Sequence, residues 1–387
     1  MIHDESIEEA NDELDSDVNS EQGLIEYYGT KELRWYQIAA RNETIDHLEL
    51  GLRRICIKLP TGSGKTIALA ASLNNDRFKK TIGIQTEKLR VLFVSHVHRI
   101  LNQAEQVFAT ENQVEFMPQS MFSQVSPEYI KRGWDLVVLD ECHHESCLTF
   151  QYHLETLGNF PIIGLTATPE RADGLLIKFD RIVEPISREQ AVREGWLAET
   201  ELYSFVDAPE RSKLDILRDI FNSKYAQNIN GTMVFVRTKE EVAVLTDFLK
   251  QQGRRAVAIL DQSGKKVSDL LDRFSQKEVD ILVNCYRVGE GVDVKGCETV
   301  VLGRTFGSYP QLNQVIGRAS RPDSICRVIE LINPLSGRNL DTTVVTGTPK
   351  VHKLIYRQNK QWIETEFDYT SDWSTEGELG TKDDVMR

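Results

Sequence analysis

The chain has little that would tie it to an oxidising compartment or to a bilayer. Six cysteines are scattered through 387 residues with no framework spacing, which excludes a disulfide scaffold and predicts a reducing compartment. No apolar run approaches the ~20 residues that span a membrane. The first residues are acidic where a secretory leader would be basic and then apolar. An intracellular protein is expected, cytoplasmic in a prokaryotic or viral setting and nuclear in a eukaryotic one.

Basic residues are also missing from particular places. Residues 1–22 hold nine acids and no Lys or Arg, and residues 364–387 hold eight acids against Lys382 and Arg387. The net charge of −13 therefore belongs to the tails. The rest of the chain has 42 of the 59 acids and 44 of the 46 bases, close to +2, so an anionic partner is not excluded. The N-terminal run is too polar to offset its ordering entropy and is expected to be a disordered acidic tail.

What is present begins with Lys58-Leu59-Pro60-Thr61-Gly62-Ser63-Gly64-Lys65-Thr66. The apolar run Ile55-Cys56-Ile57 leads into it, and the helix former Ile67-Ala68-Leu69-Ala70-Ala71 leaves it. A glycine-rich loop between strand and helix places backbone N–H groups and the positive helix end around a phosphate. Pro60 to Thr66 are thus the candidate nucleotide cradle. Lys65 would reach the outer phosphates, and the Thr66 hydroxyl would ligate Mg²⁺. The strict pattern wants glycine where Leu59 stands.

Leu136-Val137-Val138-Leu139 reads as a buried parallel strand ending in Asp140-Glu141-Cys142-His143. Carboxylates at the C-terminal end of such a strand lie where α/β sheets place their ligands. Asp140 suits Mg²⁺, and Glu141 suits orienting and deprotonating water.

With these residues in hand, the chain resembles the superfamily 2 DExH-type helicases, in the branch of type III restriction motors and phage branch-migration helicases. Leu33-Arg34-Trp35-Tyr36-Gln37 is similar to the Q-like segment, implying that Gln37 contacts adenine. Residues 59–66 match motif I and Asp140–His143 match motif II. Leu165 to Arg171 match motif III, Gly289 to Asp293 motif V, and Gln314-Val315-Ile316-Gly317-Arg318-Ala319-Ser320-Arg321 motif VI. The resemblance implies that Gln314, Arg318 and Arg321 act in catalysis from the second lobe, and that Glu290 and Asp293 serve the nucleotide. It further implies that His143, Thr166 and Thr168 couple cleft to track. Arg99, Ser120, Arg237, Thr238 and Thr305 would contact a nucleic-acid backbone.

The α/β fold expected is two tandem RecA-like domains. Strands are predicted at 54–58, 90–95, 114–117, 135–140 and 161–166, then at 201–205, 232–236, 256–260, 280–284, 299–302 and 326–331. Alternation with helical stretches predicts parallel sheets covered on both faces. Lobe 1 is placed at 23–198 and lobe 2 at 199–345, with a hinge near 196–203. Apolar residues at helical spacing from Val351 to Ile363 predict a C-terminal helix with a basic face, before the acidic tail.

Two further patterns count against added chemistry. Cys142, His143, His144 and Cys147 cannot converge on zinc without dragging Asp140 away, and no second CxxC pair exists. No Glu stands two residues before a Lys, and the one Asp-x-Lys is Asp293-Val294-Lys295 inside motif V, so a nuclease of the restriction type is not expected. The expectation is an ATP- and Mg²⁺-dependent DNA helicase or translocase serving repair, recombination or replication. It would act as a monomeric motor, with DNA favoured over RNA. The alternatives are an ATP-gated binding module, a motor subunit relying on a protein partner for specificity, or an RNA helicase.

Overall fold

The computed structural model describes residues 26–84, 88–95, 112–142, 148–168, 178–206, 211–226, 229–260, 264–285, 294–322, 324–332, 340–358 and 361–366. Both acidic runs apart from 364–366, and Arg99, His143, Glu290 and Asp293, lie outside the described residues.

In the first half the chain forms β1 (Tyr27–Tyr28), β2 (Lys31–Glu32), α1 (Trp35–Glu49), β3 (Arg54–Lys58), α2 (Lys65–Leu73), α3 (Asp76–Thr81), β4 (Arg90–Ser95), β5 (Gln113–Pro118), α4 (Gln119–Phe122), α5 (Pro127–Gly133), β6 (Leu136–Asp140), α6 (Leu148–Thr156), β7 (Ile162–Thr166), β8 (Arg181–Val183) and α7 (Arg188–Arg193). The second half forms β9 (Glu199–Val206), α8 (Lys213–Asn222), β10 (Thr232–Phe235), α9 (Lys239–Gln251), β11 (Ala256–Ile259), α10 (Gly264–Ser275), β12 (Ile281–Asn284), β13 (Thr299–Leu302), α11 (Tyr309–Ile316), β14 (Ile325–Ile332), α12 (Thr343–Thr346), β15 (Val351–Gln358) and β16 (Gln361–Glu366). Each strand expected from the sequence is present with its ends within two residues. None of the described helices is long and apolar enough to cross a membrane.

Among the described residues lobe 1 is a parallel sheet in the order β5-β4-β6-β7-β3-β8. Its central strands β4, β6 and β7 are buried along nearly their whole length because both faces are covered. Along β4, Val91 and Phe93 enter the core under α1 and α2, whereas Leu92 and Val94 enter the opposite core with Phe122, Ile130 and Trp134. β6 divides likewise, Leu136 and Val138 to one side and Val137 and Leu139 to the other. Lobe 2 repeats the arrangement in the order β11-β12-β10-β13-β14-β9-β15-β16, with Met233 and Phe235 on one face and Val234 and Val236 on the other.

The expected C-terminal helix is not there. Residues 351–358 and 361–366 form two paired strands, β15 running parallel to β9 and antiparallel to β16, so the lobe 2 sheet is mixed. The spacing that imitated a helix places Ile355 in the core and Trp362 edge-on to Phe205, with 5.1 Å between ring centroids. Covering the open edge of β9 satisfies a row of backbone groups that an isolated helix would leave bare. Among the described residues the basic side chains expected on that face are paired, Lys360 lying outside them. Lys350 pairs with Glu199, Lys353 with Glu364 and Glu366, and Arg357 with Asp219. β9 already begins at Glu199, so the segment joining the lobes is 184–198, built around α7.

Candidate nucleotide site at the lobe seam

The cradle is a turn that only glycine fits. Gly62 and Gly64 have φ of +89° and +87°, and Gly64 caps α2 from the left-handed region. The loop is closed by Leu59 N–H donating to Thr166 O at 3.0 Å and by the Ser63 hydroxyl donating to Pro60 O at 2.7 Å. Lys65 and Thr66 then stand on the first turn of α2, at its positive end. Thr61 lies on the outer shoulder of the loop, where it meets lobe 2.

Gln37 is buried beside this loop, and both ends of its amide are engaged. Its oxygen accepts Arg34 N–H at 3.0 Å, and its nitrogen donates to Ser63 O at 3.0 Å. A Cβ on Gly64 would sit 2.6 Å from that nitrogen. Tyr36, fully buried, donates its hydroxyl to the same Ser63 carbonyl at 2.8 Å. The start of α1 therefore holds the cradle by its backbone.

Opposite, β6 delivers Asp140 and Glu141. Lys65 Nζ is 3.7 Å from Glu141 Oε1. Glu141 has φ +49°, a sparsely populated backbone region for a residue with a side chain, and such strain concentrates at functional sites. Burial lifts the Asp140 carboxyl to about 7, with the Glu141 charge adding to the rise and Lys65 and the Ser95 hydroxyl opposing it. A desolvated carboxylate at the end of β6 and a threonine hydroxyl on the first turn of α2 are hard oxygen donors of the kind Mg²⁺ takes, so the residue types present fit such an ion. No cluster of three or more metal-ligating side chains occurs among the described residues.

Thr166 ends β7 in register with Lys58. Its hydroxyl donates to Thr168 O at 2.7 Å and accepts Thr168 N–H at 3.0 Å, locking the turn beyond the strand. From lobe 2, α11 ends at Gly317, and its next turn carries Arg318 and Arg321. A Cβ on Gly317 would lie 2.3 Å from Thr61 Cγ2, and one on Gly62 would lie 3.2 Å from Ser320 O. The turn of residues 317–321 thus rests directly on the cradle. Gln314 Oε1 is enclosed without a hydrogen-bond partner among the described residues. Arg321 donates to Val294 O at 3.4 Å. Burial pushes the neighbouring Cys297 thiol up to about 12, opposed by the charges of Arg318 and Arg321.

The nucleic-acid candidates fall at the C-terminal ends of strands. Exposed Ser120 follows β5, exposed Arg237 and half-buried Thr238 follow β10, and exposed Thr305 follows β13, the parallel neighbour of β10. The Thr238 hydroxyl caps α9, accepting Glu241 N–H at 3.2 Å, while Glu241 accepts the Arg237 N–H at 2.7 Å. Arg99 lies outside the described residues, as do His143, Glu290 and Asp293.

The type III restriction enzyme res subunit family matches residues 30–120 and 110–171, and the helicase conserved C-terminal domain matches residues 212–323. The chain belongs to the superfamily 2 helicases. Among members of this helicase superfamily, the putative ATP-dependent helicase IRC3 of Saccharomyces cerevisiae is 24% identical over 363 residues, covering 80% of this chain and 52% of that protein. The type I restriction enzyme EcoAI endonuclease subunit of Escherichia coli is 26% identical over 365 residues, 76% of this chain and 44% of that one. The chain spans about half the length of these relatives. In fold, a fragment of a putative HsdR subunit of a type I restriction enzyme from Vibrio vulnificus superposes with a TM-score of 0.65 at 22% identity, covering 85% of this helicase-family chain and 70% of that one.

Residues that the sequence did not single out are Arg188, Glu194 and Trp196, all in or beside α7. No motif marks them. Only the pairing of distant segments brings them to the cleft.

Proposed function

We propose that the chain is an ATP-dependent DNA helicase or translocase whose ATP site is the seam between the lobes. The observation that carries this reading is the seating of the 317–321 turn on the glycine cradle, Gly317 against Thr61, which couples catalysis to the relative position of the lobes. Magnesium ATP supplies the phosphoanhydride and a hard cation. The backbone of residues 62–66 and Lys65 bind the phosphates, and Thr66 and Asp140 hold the metal. Glu141 orients water and takes its proton. Arg318 and Arg321 reach the phosphates from lobe 2, the fork of arginine matching their oxygens. Arg99, Ser120, Arg237, Thr238 and Thr305 would line a sequence-tolerant track along the strand ends.

Steady-state ATP hydrolysis tests this, measured alone and with single-stranded, duplex and forked DNA and with RNA, Lys65→Ala serving as the inactive control. Stimulation by a DNA form is expected. Stimulation by RNA alone would replace the substrate and keep the mechanism. ATP binding without stimulation by any of them would move the reading to a gated binding module. That EcoAI is a restriction enzyme subunit favours a second reading, a motor relying on a protein partner for its target. Hydrolysis that emerges only when a purified partner subunit is added would select it.

A further inference from the structure

The connection between the lobes touches both halves of the nucleotide site. α7 follows the edge strand of lobe 1 and precedes the first strand of lobe 2. Ser187 caps it by accepting Gln190 N–H at 3.1 Å. Gly195, at φ +76°, ends it, and the amides of Trp196 and Leu197 fold back to Ala191 O at 2.8 and 3.1 Å. Ile186, Ala191 and Leu197 anchor the segment in the lobe 1 core. Capped at both ends and anchored, it is a short rigid bar.

Its first turn reaches lobe 2. Arg188 Nη2 donates to Ser320 Oγ at 2.7 Å, across the seam and within the turn that carries Arg318 and Arg321. Arg188 is half-buried as a residue, yet its Nε and Nη1 are enclosed and have no hydrogen-bond partner among the described residues. Glu189 stands beside Gly347, where a Cβ would be 3.3 Å from its carboxylate. The other end of the bar reaches the start of α1. Glu194 accepts the indole N–H groups of Trp35 at 2.8 Å and Trp196 at 2.9 Å, and the Gln190 amide at 2.8 Å. The Arg34 guanidinium lies 5.1 Å over the Trp196 ring and donates to the Tyr36 hydroxyl, which holds Ser63 O in the cradle. One segment therefore ties the cradle to the arginine turn.

We propose that α7 couples the two halves of the ATP site, with Arg188 as the positioning residue that ties the arginine turn to the inter-lobe connector through Ser320. This inference rests on the functional reading above. The physical argument is that a guanidinium enclosed with only part of its fork satisfied is a poor stabiliser, since breaking even with an apolar residue of like size is the usual outcome for buried charge. It does fix direction and distance, because a donor fork has one geometry. An ångström of error in where a catalytic group stands costs on the order of 10²-fold in rate.

Arg188→Met in the full chain separates placement from stability. Expected are a melting temperature equal to or above that of the unaltered protein and an ATP dissociation constant within two-fold of it. Nucleic-acid-stimulated kcat should fall by about ten-fold or more. Amide hydrogen exchange should quicken at residues 317–321 and stay unchanged at 60–66. Arg188→Met combined with Ser320→Ala should lower kcat no further than Arg188→Met alone. A kcat within two-fold of the unaltered protein, or unchanged exchange at 317–321, overturns the inference. If Arg188→Met does not fold, Arg188→Lys is measured by the same criteria, since lysine keeps the charge and loses the fork. If the unaltered chain hydrolyses no ATP with any nucleic acid, the functional reading falls, and the exchange comparison alone decides the coupling.

Discussion

Asp140 is held against its own chemistry. Its carboxyl is lifted to about 7 by burial beside Glu141, above the ordinary unfolded value of about 4. A raised folded-state value means that the native protein holds this proton more tightly than the unfolded chain. The corresponding stability is present in acid and is lost as pH rises from about 4 to about 7. Asp140→Asn should therefore be more stable than the unaltered protein at pH 8, with the gap closing toward pH 4. Urea melts at the two pH values check this. The same substitution should abolish hydrolysis, and in the unaltered protein Mg²⁺ affinity should weaken below about pH 7.

At the scale of elements, two substitutions separate packing from function. Gly317 has φ −56°, an ordinary helical value, so alanine suits its backbone. The Thr61 side chain, 2.3 Å from the added carbon, and the Asn313 carbonyl oxygen, 2.9 Å from it, resist it. Gly317→Ala should leave stability within about 1 kcal/mol while lowering hydrolysis about ten-fold or more by displacing the arginine turn. Thermal melts and steady-state rates together test this. Thr238 is a helix cap, so Thr238→Ala should cost about 1 kcal/mol and leave the salt dependence of nucleic-acid binding unchanged. Arg237→Ala, by contrast, should reduce the slope of log affinity against log salt by about 1. Binding isotherms at several salt concentrations distinguish the two residues.

For the whole molecule, a net charge of −13 coexists with a central chain near +2 because the acids gather at the two ends. Removing residues 1–22 takes away nine negative charges. If that run competes with a nucleic-acid backbone, its removal should tighten binding at low salt, and the gain should vanish above about 0.3 M salt as screening shortens. Unchanged affinity at low salt would leave the run a solubilising role only.

The sequence alone determined the parallel core and the chemistry at its edge. The middles of strands such as Arg54–Lys58 and Leu136–Asp140 are apolar on both faces, so nothing but a doubly covered sheet can bury them, and β10, β12 and β13 follow the same rule. Pro60 to Thr66 and Asp140-Glu141 were legible because phosphate and metal demand those residue types within a few positions of a strand end. Gln37, also named from sequence, holds Ser63 O in the structure as well as flanking the site. Tertiary structure decided what depends on pairing across distance. Val351 to Glu366 carries a spacing compatible with a helix, and only the open edge of β9 made it two paired strands. Arg188 and Glu194 look like surface charges in sequence. Their partners Ser320 and Trp35 lie 132 and 159 residues away, so the seam that Arg188 bridges, and the α1 contact that Glu194 makes within lobe 1, exist only once the chain has folded around the connector.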